Sequence, residues 1–204
     1  GAGLRANLKA QLEAHNGVSL SDAEFTRVLN HLDKGNVFDK AKILRNRMAL
    51  PRDDGTTVYI QFLNTEEWCR NRYQVTSQVT QAGSYKNRYD VTLMINGLPL
   101  MQVELKRRGM ELKEAFNQVN RYQRHSYWSD HGLFQYVQLF IISNGVNTKY
   151  YANNRDQDFK QTFYWASEDN TLITRLDAFA DAFLEKCHMS KMVAKYIRSE
   201  EHTS

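Results

Sequence analysis

Apolar residues recur along this chain in two rhythms. Leu4, Leu8 and Leu12 have the spacing of a helix over residues 4–14. Phe25, Val28, Leu29 and Leu32 predict a second helix that stops near Gly35. Ser19 or Ser21 is its expected N-cap, and Glu24, three residues after Ser21, would complete a capping box. The rhythm then shortens to period two. Residues 57–62, after an Asp53-Asp54-Gly55 turn, and residues 73–80 read as strands. Residues 89–95 and 100–106 read as two further strands, joined through Asn96-Gly97. The helical rhythm returns at 111–128, with Leu112, Ala115, Phe116, Val119 and Tyr122. An apolar strand is expected at 135–142 and another at 148–152, separated by a Ser143-Asn144-Gly145 turn. A polar loop over 154–162 precedes a helix at 172–184 with Leu172, Leu176, Phe179 and Phe183 on one stripe, and the helical pattern resumes at 192–197. Residues 41–50 fit no single rhythm; Lys42, Arg45 and Arg47 make them basic, a solvated face. The expected architecture is α/β, a mixed sheet flanked by helices.

The 89–106 hairpin carries the candidate chemistry. Val91, Leu93 and Ile95 share one side of the first strand, and Asp90 and Thr92 the other. The second strand turns Met101, Val103 and Leu105 one way and Gln102, Glu104 and Lys106 the other. Residues directly opposed in an antiparallel pair share a face, so register decides whether Asp90 joins Glu104 and Lys106. A regular two-residue turn pairs Ile95 with Leu98 and sets Asp90 opposite Val103, on the wrong face. A three-residue loop, or a bulge, sets it opposite Glu104. One of these two irregularities is expected.

Asp90 followed by Glu104-Leu105-Lys106 resembles the D…ExK core of the PD-(D/E)xK nucleases, and Gln118-Val-Asn-Arg-Tyr122 resembles the QxxxY motif of their RecB-like branch. The run from Asn87 to about Tyr127 is similar to the N-terminal nuclease region of the R (restriction) subunit of type I restriction–modification enzymes. Tyr89 stands where the proline that names the superfamily is usual. The resemblance implies a restriction-endonuclease-like fold over residues 1–185, with residues 186–204 beginning the connection to a motor domain. It also implies a type I site-specific deoxyribonuclease that cuts double-stranded DNA after ATP-driven translocation by the parent protein, which joins methyltransferase and specificity subunits. In that family the aspartate, glutamate and lysine are catalytic. Another RecB-like nuclease, or a non-cleaving DNA-binding or docking module, would share the same features.

The residue types agree with this chemistry. Two adjacent carboxylates repel unless a cation lies between them. Oxygen ligands with open water positions suit Mg²⁺, or Mn²⁺ as its substitute, rather than zinc. Asp90, Glu104 and the Leu105 carbonyl are the expected ligands, and Lys106 is placed to orient water and offset charge. Gln118 and Tyr122, four apart on a helix, project from the same face. Lys86, Arg88, Arg107, Arg121 and Arg124, with His125, are candidates for contacts to DNA phosphates.

Composition changes this picture little. The chain has 204 residues, a net charge of +4 and a pI near 9.0, a weak lean towards anionic partners. Cys69 and Cys187 form no CxxC pair, no histidines have zinc-ligand spacing, and no GxxxxGK[ST] is present. With no long apolar run, the expectation is a reduced, cytoplasmic protein away from membranes.

Overall fold

The computed structural model describes residues 2–81, 87–125, 130–154, 156–185, 188–189 and 191–193. A five-stranded sheet in the order β3-β4-β5-β6-β7 forms its centre. These strands are β3 (Tyr73–Gln81), β4 (Asn87–Ile95), β5 (Leu98–Leu105), β6 (Leu139–Ser143) and β7 (Thr148–Ala152). All neighbours pair antiparallel except β5 and β6, which run parallel. Parallel neighbours need a crossover, and α4 (Leu112–His125) lies in this one. A ribbon of β1 (Met48–Pro51) and β2 (Thr57–Ile60) stands apart from this sheet.

Side chains alternate across the sheet and divide the interior in two. Leu93, Ile95, Met101, Val103, Leu139 and Ile141 belong to a core closed by α1 (Ala2–Asn16), α2 (Asp22–Leu32), α3 (Val37–Arg45) and α5 (Leu176–Phe183). Their neighbours in sequence, Phe140 and Ile142, face the other way and join Tyr151 under Leu112, Ala115, Phe116, Val119 and Tyr122 of α4. Burying each large side chain here is worth about 1.5–3 kcal/mol. The apolar stripe of α4 is what holds this helix, and with it Gln118, over the polar face of β4 and β5.

Local signals explain most boundaries. Ser21 caps α2 by accepting from the Glu24 amide, and Glu24 accepts from the Ser21 amide in return, completing the capping box. Residues 41–50 divide between the end of α3 and β1, so two rhythms met inside one basic segment. Two expectations are corrected. The strand predicted from Gln135 begins at Leu139, because Asp130–Tyr136 winds as 3-10 turns. The helix predicted from Leu172 begins at Leu176. Leu172–Ile173 is instead a short strand, β9, paired with β8 (Trp165–Ala166) across a turn in which Asn170 takes a φ of 65°. That pairing leaves Leu172 57% exposed, off the helical stripe. Within the expected 154–162 loop lies one 3-10 turn, Phe159–Gln161. Among the described residues no helix is long and apolar enough to cross a membrane.

The hairpin tip is buried rather than exposed. Asn96 and Gly97 turn the chain with φ of 52° and 82°, the left-handed pair that matches strand twist. Asn96 is fully buried: its side-chain amide donates to the Phe62 carbonyl and to Asn71 Oδ1, and its Oδ1 accepts from the Arg72 amide. A Cβ on Gly97 would lie 2.8 Å from Leu8 Cα of α1, so this position needs glycine for space as well as for φ.

Candidate active site

β4 and β5 start from the tip in the register of a two-residue turn, Ile95 with Leu98 and Met94 with Pro99. Between Leu93 and Met94 the register shifts, so that Leu93 faces Met101, Thr92 faces Gln102 and Val91 faces Val103. Leu100 is the extra residue. Continued one step, this register sets Asp90 opposite Glu104. Of the two expected irregularities, the bulge is the one the chain adopts, and it carries both carboxylates to the α4 side of the sheet.

The two acids are held differently. Asp90 is half-buried, and its Oδ2 accepts from the Leu105 amide at 2.8 Å, which ties it to the strand bearing Glu104. Glu104 is 1% exposed, and neither of its carboxylate oxygens has a hydrogen-bond partner. Burial is the main cause that pushes its carboxyl up to about 8; the charge of Asp90 adds to this, and Lys106 and Arg121 oppose it. Lys106 Nζ lies 3.7 Å from Glu104 Oε1, near enough to attract it. The ammonium donates instead to Gln118 Oε1, and the Gln118 amide donates in turn to the Tyr122 hydroxyl. Burial, then the nearby Glu104 charge, raises the Tyr122 phenol above its ordinary value. The helical spacing of four thus builds a two-link brace that runs from the body of α4 to the strand lysine.

Asp90, Glu104, Lys106, Gln118 and Tyr122 therefore converge. Leu105 contributes its amide to Asp90 and keeps its side chain 37% exposed. Arg121 is exposed yet close enough to act on Glu104 electrostatically. Arg107 and Arg124 are exposed. Lys86 lies outside the described residues, and Arg88 and His125 belong to β4 and α4 with side chains outside the described set. Sequence reasoning missed the brace from Lys106 to Gln118; the signal was an ExK strand followed by a helix carrying a long amide side chain on its sheet-facing side.

Among the described residues no three of His, Cys, Asp and Glu converge as metal ligands. Two carboxylates without a cysteine or histidine match a hard cation that keeps several waters, as Mg²⁺ does, and do not match structural zinc. A divalent cation between an ionised Glu104 and Asp90 would offset their mutual repulsion, an offset to which Lys106, 3.7 Å from Glu104, already contributes.

Residues 2–159 match the family described as type I restriction enzyme R protein N terminus. The endonuclease subunit of the type I restriction enzyme SsaAORF53P of Staphylococcus saprophyticus is 49% identical over 183 residues, 89% of this chain and 19% of that protein. The SauMSSORF170P endonuclease subunit of Staphylococcus aureus is 50% identical over 182 residues, again 89% of this chain and 19% of the relative. The EcoprrI endonuclease subunit of Escherichia coli is 42% identical over 199 residues, 94% of this chain and 64% of the relative. The chain thus spans about a fifth of the length of the staphylococcal relatives.

Proposed function

Since this chain belongs to the family of type I restriction enzyme R protein N termini, we propose that it is a Mg²⁺-dependent endonuclease module that hydrolyses phosphodiester bonds of double-stranded DNA. One observation carries the reading: a bulged hairpin sets a hydrogen-bond-free, buried glutamate beside a second carboxylate and a braced lysine. As a structural hairpin this arrangement would be costly, since an unpaired buried acid destabilises the fold.

Asp90, Glu104 and the Leu105 carbonyl would hold the cation. When bound, Mg²⁺ or its substitute Mn²⁺ neutralises the carboxylate pair and polarises the scissile phosphate. Lys106 orients the attacking water and offsets negative charge as it develops on the phosphoryl oxygens. Gln118 holds the Lys106 ammonium on the line between Glu104 and the helix, and Tyr122 fixes the Gln118 amide. A water oxygen bonds to phosphorus as the bond to one ester oxygen breaks; the water gives up a proton and the departing oxygen takes one from solvent, leaving a phosphate monoester and a free hydroxyl. The described residues up to 185 belong to this PD-(D/E)xK module; most of 186–204, read as the start of the connection to the motor, lies outside the described residues. In the parent protein, ATP binds to those further domains, their translocation delivers DNA to this module, and methyltransferase and specificity subunits complete the cytoplasmic assembly.

The test is Mn²⁺ titration of this chain by calorimetry, alongside DNA cleavage by the full-length R protein assembled with its partner subunits. Asp90→Asn and Glu104→Gln are expected to remove the high-affinity Mn²⁺ site and the cleavage together. Cleavage that survives both substitutions would sink the assignment. Intact Mn²⁺ binding in both variants would move the cation elsewhere.

A further inference from the structure

A cleft of about 650 Å³ opens between the start of α4 and the loop joining β6 to β7. Three cations line it. Arg108 follows the end of β5, Lys113 lies on the first turn of α4, and Lys149 lies on β7. Lys149 stands opposite Ile142, which stands opposite Glu104, so all three share one cross-strand row. Two strand spacings separate the lysine from the glutamate along that row, about 10 Å.

The environment of Lys149 is unusual for a lysine. Its ammonium sits over the Phe159 ring at 5.2 Å and the Tyr164 ring at 4.8 Å, and it donates to Thr162 Oγ1 at 3.4 Å. Phe159 is itself fixed edge-on to Phe116 of α4. The rings and the hydroxyl position the charge without neutralising it. Among the described residues no carboxylate pairs with Arg108, Lys113 or Lys149. Among the described residues Glu111 is the one acid on the lining, which leaves an excess of two positive charges, three cations less one acid.

We propose that this cleft binds backbone phosphates of the DNA strand, within two nucleotides of the bond that Asp90, Glu104 and Lys106 address. The inference rests on the nuclease reading for its geometry. Phosphates follow one another at about 3.4 Å of axial rise on each strand and wind about the axis as well, so a separation of about 10 Å spans fewer than three steps. Lys149 is a preorganised contact. Arg108 and Lys113, both exposed, are free to adjust to the backbone.

The experiment measures binding of this chain to a short duplex in Ca²⁺, as a function of salt. Arg108→Ala combined with Lys113→Ala is expected to weaken binding about tenfold and to reduce the log–log salt slope by nearly 2. Glu111→Gln is expected to tighten it. Mn²⁺ binding at the carboxylate pair should stay unchanged in all of these variants; an unmodified chain that binds the duplex through this cleft but binds no Mn²⁺ would fault the nuclease reading and leave the phosphate contact standing. Unchanged affinity and slope in the double variant, no measurable duplex binding by the unmodified chain, or weaker binding at an unchanged slope would each overturn the proposal. Displacement of the duplex by ATP at matched ionic strength, seen with the unmodified chain and lost in the double variant, would assign the cleft to a free nucleotide and overturn it as well.

Discussion

Glu24 and Glu104 are the same side chain at nearly the same burial, 3% and 1% exposed, yet their surroundings are opposite. Glu24 Oε1 accepts from Arg52 Nε and the Asp53 amide, and Oε2 accepts from the Ser21 amide and Arg52 Nη2. Those bonds, led by the one from Arg52, lower its carboxyl to about 2. Glu104 has no hydrogen-bond donor, faces a second acid, and is raised to about 8. Accessibility alone would file both as buried glutamates. What separates the two is whether the fold has satisfied the carboxylate oxygens.

The contrast is broken most sharply at the partner cation. Lys106→Ala is expected to lower cleavage by the assembled full-length protein about a hundred- to a thousandfold, the usual loss for one charge-stabilising donor, with the melting temperature little changed. Arg52→Ala should do the reverse. Its folded fraction keeps full activity, while the melting temperature falls by several degrees because Glu24 loses its counter-charge. A fall in activity per folded molecule for Arg52→Ala would erase the distinction.

Removing the acids should move stability in opposite directions. In chelator at pH 8, Glu104→Gln is expected to stabilise the chain by about 2–3 kcal/mol, since it deletes a carboxylate whose ionisation opposes folding. Glu24→Gln should lower stability, because a neutral amide cannot reproduce the bonds to Arg52 and two backbone amides. Urea melts of the two variants read both signs.

The same logic fixes two pH windows. The Glu104 carboxyl is raised in the folded state, so the native chain keeps a proton that the unfolded chain has released. Between about 4.5 and about 8, stability therefore falls as pH rises through this group. The Glu24 carboxyl is depressed. Its contribution is present above about 4.5 and is lost as pH falls towards about 2. Comparing wild type with each Gln variant across pH isolates each slope, and saturating Mn²⁺ should flatten the first without touching the second. The smallest expected effect is that of Tyr122→Phe. Loss of the outer link of the brace costs about one hydrogen bond, near 1 kcal/mol, so cleavage should fall about fivefold with DNA affinity held constant.

Much of this was legible in the sequence because the signals were local. The Ser21–Glu24 capping box, the Asn96-Gly97 turn and the three-four stripe of α4 each lie within a short window and carry their own geometry. The position of the bulge was not legible. Leu98, Leu100 and Met101 are all buried, so no exposed polar residue marks which one the pairing skips. Gln135 and Tyr136 read as strand because the apolar run after them is continuous, and Leu172 read as helix because a two-residue ribbon and a helical turn look alike in so short a stretch. The lack of a hydrogen-bond donor to Glu104 is further from the sequence still, since it depends on how α4 closes over β5.

The parity of the hairpin has a consequence for how such a site can vary. Asp90 and Glu104 stand fourteen residues apart, and an even separation cannot be directly opposed across a regular two-residue turn, which pairs positions at odd separations. Deleting Leu100 itself would remove the bulge and leave a regular two-residue hairpin in which Asp90 still faces Glu104. Deleting any other single strand residue between the two acids, with the bulge kept, would turn Asp90 to the opposite side of the sheet while leaving both acids in the sequence. Length variation in this hairpin is thus expected in steps of two while the bulge is kept, and in single steps only where a bulge is gained or lost, a constraint on counting rather than on residue identity.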